Sequence, residues 1–141
     1  MMITISTFTQ IVFVVIIEIG MLADSTSLPS TLHSGQTLTT NNSLQAGNLF
    51  LTVQSDCNLV AYSNGRPNKV ANWATNTNDH GKNCVLLLLQ NCNLIVLSDT
   101  LRIVWSTKKT SKNGPCDLYL REDAFYIVDS KNILVAKQTL P

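Results

Sequence analysis

Three stretches of this chain echo one another at intervals of roughly 32 to 35 residues, a period at which repetition sets the whole architecture. Gln54-Ser55-Asp56-Cys57-Asn58-Leu59-Val60-Ala61-Tyr62 leads on to Trp73-Ala74-Thr75-Asn76-Thr77. Leu89 to Leu97 leads to Trp105-Ser106-Thr107, and Arg121 to Asp129 leads to Leu134-Val135-Ala136. The runs are short, alternate in polarity and lack a helical period. Turn signals bound them: Ser34-Gly35, Ala46-Gly47-Asn48, Asn64-Gly65, Ser98-Asp99 and Asn113-Gly114-Pro115. The pattern predicts an all-β fold of many short strands. One such unit is too small to bury its own apolar face. Three packed around an axis share a core, with Trp73 and Trp105 directed into it.

The cysteines support the same register. Cys57 precedes Asn58 in the first repeat and Cys92 precedes Asn93 in the second, while Cys84 and Cys116 each lie five residues before the start of the next repeat. Four cysteines allow three pairings. Under pseudo-threefold symmetry, Cys57–Cys84 and Cys92–Cys116 join equivalent positions, and these two bridges are expected. Each closes a loop of about 25 residues, contributing about 3 kcal/mol in the loop-entropy view. An even cysteine count in a small domain fits an oxidising compartment.

At 141 residues the chain has room for one domain. A net charge of +1, with 13% of residues charged, argues against nucleic acid, which needs a dense cationic footprint. Lys108, Lys109 and Lys112 read as a solvated loop. Residues 1–25 stand apart: Ile11 to Ile17 is an unbroken apolar run, followed by Glu18 and then Ile19 to Ala23. The segment is short for a bilayer span and matches a secretory signal peptide, although no Lys or Arg precedes it. A cut after Ser25 is expected to leave a secreted domain, 26–141, without membrane association. Asn41-Asn42-Ser43 is a glycosylation sequon, with Asn41 the acceptor.

Signs of catalysis are thin. His33 and His80 occupy turn-rich stretches away from the cysteines, where exposed loop positions are expected rather than metal ligands. No Ser/His/Asp set, phosphate-cradling glycine loop or HExxH motif is present. The expectation is a non-enzyme without metal or cofactor.

If residues 54–62 form one strand, their side chains alternate between two faces. Gln54, Asp56, Asn58, Val60 and Tyr62 share one; Ser55, Cys57, Leu59 and Ala61 share the other. The first face offers two carboxamides, a carboxylate, a small apolar contact and a phenol. Such a set suits a neutral polyol better than a metal, a phosphate or a scissile bond.

The ordered set Gln-x-Asp-x-Asn-x-Val-x-Tyr, in a threefold β-repeat, resembles the monocot bulb-type mannose-binding lectins, the snowdrop lectin family. Ser34-Gly35-Gln36-Thr37-Leu38 and Ser43-Leu44-Gln45-Ala46-Gly47 resemble the N-terminal region of its curculin branch. The likeness runs from about Leu32 to Thr139, and Cys57 with Cys84 matches the family's usual disulfide. It implies a β-prism II of three four-stranded antiparallel subdomains with pseudo-threefold symmetry, each with one potential mannose pocket.

Carried over residue by residue, the resemblance leaves the full set only in the first repeat. There Gln54, Asp56, Asn58 and Tyr62 would bond sugar hydroxyls, with Val60 against the ring carbons. The second repeat presents Leu89, Asn91, Asn93, Ile95 and Leu97, a degenerate site reduced to Asn91 and Asn93. The third presents Arg121, Asp123, Phe125, Ile127 and Asp129, which should abolish the pocket. The segment from Tyr62 to Trp73 is about four residues longer than the family's pattern and is placed to cover or reshape the first site. The implied partner is mannose or a mannose-containing glycan, and the implied role is defence or storage. The family often dimerises by exchanging a C-terminal strand; this chain stops at Pro141, soon after the third repeat, and a monomer or weak homodimer is expected. A non-sugar-binding, curculin-like protein ligand or storage protein is the alternative.

Overall fold

The computed structural model describes residues 27–64 and 69–141. The expected signal peptide and most of the long loop after Tyr62 lie outside the described residues.

The alternating runs form strands in three antiparallel sheets of four. Sheet one is continuous in sequence: β3 (Ser43–Ala46), β4 (Leu49–Val53), β5 (Leu59–Asn64) and β6 (Lys69–Ala74). Sheet two joins β2 (Thr37–Leu38) to β7 (Val85–Leu88), β8 (Leu94–Leu97) and β9 (Ile103–Ser106). Sheet three joins β1 (Thr31–His33) to β10 (Asp117–Leu120), β11 (Ala124–Val128) and β12 (Leu134–Thr139). The segment ahead of the first repeat therefore supplies one strand to every sheet. β12 pairs with β11 of its own sheet.

That distribution follows from a leucine every sixth residue. Leu32, Leu38 and Leu44 are all buried, and each faces a core leucine of a different sheet: Leu118, Leu86 and Leu51. The repeats add Leu51, Val53, Leu59 and Ala61; Leu86, Leu88, Leu94 and Val96; and Leu118, Leu120, Phe125 and Ile127, none more than 1% exposed. A fully buried side chain of this size contributes roughly 1.5–3 kcal/mol. The shared core of the three small sheets is thus the main source of stability.

Trp73 and Trp105 pack against this core half-buried, edge to face with ring centroids 6.0 Å apart. The third equivalent position holds Ala136, as the registers Ala61↔Trp73, Val96↔Trp105 and Ile127↔Ala136 show. Phe125 supplies the missing aromatic from the neighbouring strand, again 6.0 Å from Trp73.

Both expected disulfides are present, Cys57–Cys84 and Cys92–Cys116, with Cα separations of 5.1 and 5.3 Å. Each starts from the residue before an Asn, in left-handed backbone: φ is 74° at Cys57 and 75° at Cys92.

Candidate functional site

Residues 54–62 are not one continuous strand. Val53 and Leu59 pair across the β4–β5 hairpin, and Gln54 to Asn58 form its turn. The Cys57 N–H bonds the Gln54 carbonyl at 3.0 Å, and the Gln54 N–H bonds the Asn58 carbonyl at 2.9 Å. Asp56 tightens the turn by accepting the Asn58 N–H on Oδ1 at 2.9 Å. Ser, Asp and Asn are turn formers because their side chains bond nearby backbone, and that signal in Ser55-Asp56-Cys57-Asn58 outweighs the alternation. Only Val60 and Tyr62 of the set lie on a strand.

The turn nevertheless gathers polar atoms at one end of the sheet. The Asn58 Oδ1 accepts from the Thr75 hydroxyl at 3.1 Å and the Thr77 N–H at 3.3 Å. Thr77 is itself fixed by its hydroxyl, which bonds the Cys57 carbonyl at 2.7 Å. The oxygen of Asn58 is engaged, while its Nδ2 donors and the Asp56 Oδ2 make no hydrogen bond among the described residues. A donor beside a carboxylate acceptor is the complement of a hydroxyl, which both gives and takes a hydrogen bond. Thr75 and Thr77 are positioning residues that the alternation pattern did not single out. Their signal was the Thr-x-Thr following Trp73.

At the other end, the Gln54 Nε2 donates to the Tyr62 hydroxyl. This bond spends one donor and one acceptor, leaving the Gln54 Oε1 and the phenolic hydrogen for a ligand. Val60, between these ends of the motif, is only 2% exposed. The expected contact between Val60 and sugar ring carbons is therefore closed in this conformation. The Lys69 Nζ lies 5.3 Å above the Tyr62 ring, so the stretch after the long loop does bear on the site.

Sheet two keeps the frame of this arrangement without its ends. Asn91 Oδ1 accepts the Asn93 N–H at 3.1 Å, as Asp56 does for Asn58. Asn93 Oδ1 accepts from Ser106 at 2.8 Å, Thr107 at 2.9 Å and the Lys108 N–H at 3.1 Å. Leu89 and Leu97 occupy the places of Gln54 and Tyr62.

Sheet three departs from the expected alignment. Its turn has four residues, 121–124, between the paired Leu120 and Phe125, where the other two have five. Losing one residue inverts the alternation beyond it. Phe125 and Ile127 therefore enter the core, and the counterparts of Asn58, Val60 and Tyr62 are Ala124, which is fully buried, and the half-buried Tyr126 and Val128. Asp129 lies in the following turn, where its carboxylate holds the Ser111 hydroxyl at 2.7 Å and the Lys131 and Ile133 N–H groups at 3.0 Å each. These bonds, the Ser111 hydroxyl first, hold the Asp129 carboxyl below the ordinary value of 3.8, against the opposing effect of burial.

The other candidate positions are also placed. Asn41 is exposed in a turn with φ 65°. His33 belongs to strand β1 rather than a loop, and its Nδ1 bonds Asp117 Oδ1 at 2.5 Å. His80 is exposed in the turn before Cys84.

Three antiparallel sheets of four around one core, each with a hairpin of related build, define a β-prism II. No family model matches the chain. The mannose-specific lectin 2 of Colocasia esculenta is 37% identical over 97 residues, 69% of this chain and 35% of its own length. Curculin-2 of Molineria latifolia is 39% identical over 94 residues, 67% of this chain and 53% of its own. The chain thus spans between about a third and a half of these curated relatives. A solved monomeric monocot mannose-binding lectin from Gastrodia elata matches with a TM-score of 0.69 at 32% identity, covering 77% of this chain and 94% of that one. The chain belongs to the monocot mannose-binding lectin family, a family of lectins rather than enzymes.

Proposed function

We propose that the chain binds mannose through the β4–β5 hairpin of sheet one. The observation that carries this reading is that one tight turn holds Asp56, with Oδ2 unspent, two residues from Asn58, whose oxygen is tied to Thr75 and Thr77 so that its amide donors stay available. The axial 2-hydroxyl of mannose can receive from one group and donate to the other. The wrong epimer leaves desolvated groups unpaired, at about 1–3 kcal/mol each. Gln54 and Tyr62 add one acceptor and one donor. The relatives' names, mannose-specific in Colocasia and mannose-binding in Gastrodia, support the choice of sugar.

The site is shallow and single, so a dissociation constant near the millimolar range, about −4 kcal/mol, is expected. One live site per chain gives no avidity without assembly. The protein then acts as a secreted monomer or weak dimer in defence or storage, with the apolar leader removed and Asn41 available for glycosylation. Isothermal titration with methyl α-D-mannoside provides the test. Heat that vanishes in Asp56→Ala is expected; no heat with the wild type, or unchanged heat in the variant, removes the reading.

The near-complete burial of Val60 favours a second reading, a curculin-like protein ligand that binds no sugar. The same titration separates the two.

A further inference from the structure

The outer rows of the three sheets run in register, one strand to the next. Sheet one carries Ser43, Thr52, Val60 and Ala74; sheet two carries Thr37, Leu87, Ile95 and Ser106. Sheet three carries Thr31, Tyr119, Tyr126 and Lys137. All four point away from the core, because their neighbours Leu32, Leu118, Leu120, Phe125 and Ile127 are buried. Small and aliphatic residues at equivalent positions have thus become two tyrosines, directly opposed across strands, beside a lysine. Opposed residues stand roughly 4.5–5.5 Å apart, so the two phenols form one continuous surface.

Each ring also holds a cation. The Lys137 Nζ lies 5.3 Å from the Tyr126 centroid, and the Arg121 guanidinium 5.2 Å from that of Tyr119. Of the acidic groups nearby, Asp117 is engaged and Glu122 is turned aside, while Asp123 is exposed in the same turn as Arg121. Asp117 bonds His33 at 2.5 Å and accepts the Tyr119 hydroxyl at 3.3 Å, two strands from Lys137. Glu122 leans toward Gly47 in the β3–β4 turn of sheet one.

From this we propose that the outer face of sheet three binds acidic glycans, saccharides whose pyranose rings carry uronate carboxylates. Half-exposed phenols offer flat apolar area with a hydroxyl at the tip, which suits the C–H face of a pyranose and its hydroxyls. Lys137, at the end of the row, and Arg121, in the β10–β11 turn against Tyr119, supply charge for carboxylates on successive residues. A small inorganic anion would use the cations and leave the rings idle. Single-stranded nucleic acid also favours rings with cations, but a net charge of +1 leaves no further basic footprint for a phosphate chain. The inference is independent of the mannose reading, since the two sites lie on different sheets.

The test is calorimetric titration of the whole chain with pentagalacturonic acid at low salt, beside its fully methyl-esterified form and a thymidine pentanucleotide. The acid should bind at least tenfold more tightly than the ester and more tightly than the nucleotide. The variant Tyr126→Val with Lys137→Ala gives the last two strands of sheet three the residues that sheet one has there, Val60 and Ala74. It should lose at least tenfold in affinity for the acid while keeping the wild-type melting temperature within a few degrees and the wild-type response to methyl mannoside. If that variant fails to fold, Arg121→Gln, at an exposed turn, should still weaken the acid severalfold. Absence of binding by the acid, equal binding of the ester, tighter binding of the nucleotide, or undiminished acid binding by a folded variant would each overturn the proposal.

Discussion

Gln54 and Tyr62, the first and last members of the Gln-x-Asp-x-Asn-x-Val-x-Tyr set, are hydrogen-bonded to each other, carboxamide donating to phenol, while Val60 is buried. The bond holds both long side chains in one geometry before any ligand arrives and so reduces the entropy lost on binding. Tyr62→Phe removes the acceptor of Gln54 and a donor to the sugar. One lost bond is about 0.5–1.5 kcal/mol, so affinity for methyl mannoside should fall roughly two- to tenfold. Calorimetry checks this, and the melting temperature should move by only a few degrees because the tyrosine is partly exposed.

Asn58→Asp tests the donor directly. Asp56 would then stand beside a second carboxylate and no amide, so the turn could accept hydrogen bonds but not give them, leaving the Tyr62 hydroxyl as the remaining donor. Mannoside heat should disappear at pH 7. Thr75→Val releases only one of the two groups that hold the Asn58 oxygen and should weaken binding severalfold, in line with about 1 kcal/mol for a net bond.

Phe125 and Ala136 are a compensating pair in the core, large where the other sheets have Leu59 and Leu94, small where they have Trp73 and Trp105. Phe125→Leu should destabilise by about 1–2 kcal/mol through a cavity beside Trp73, and Ala136→Trp by about 1–3 kcal/mol through overpacking. The double variant restores the pattern of the other sheets and should cost less than the sum of the two. Urea denaturation of all four proteins measures that coupling.

Leu101 is 78% exposed in left-handed backbone, φ 62°, whereas the equivalent turn of sheet three has Asn132 with the same angle. Leucine strains there and buries little; asparagine tolerates the conformation. Leu101→Asn should raise stability by about 0.5–1 kcal/mol, read as a higher urea midpoint with unchanged slope.

Asp129 makes stability depend on acid. Its folded pKa lies below its unfolded one, so its contribution is full above the unfolded value and is lost as pH falls through the folded one. The urea midpoint of the wild type should exceed that of Asp129→Asn above roughly pH 5 and converge with it as pH drops below about 3.8. Midpoints that stay apart at low pH would show that the Ser111 and Ile133 bonds do not need the charge.

The amino-acid sequence alone determined the class of fold and both disulfides. Those depend on local periodicity and on repetition, and both survive in a one-dimensional record. The β4–β5 turn was also legible, since Ser55, Asp56 and Asn58 are turn formers, but alternation over nine residues masked it. The allotment of β1, β2 and β3 to three different sheets was decided only in three dimensions. Each of those strands is two to four residues long and gains its place from one leucine meeting a core that the repeats build together. The inversion of sheet three was equally hidden, because a turn one residue shorter becomes visible only when Leu120 is seen opposite Phe125. Tertiary structure likewise decided that Thr75 and Thr77 would aim Asn58, and that Gln54 would reach Tyr62, since such bonds join residues that only the folded hairpin brings within reach.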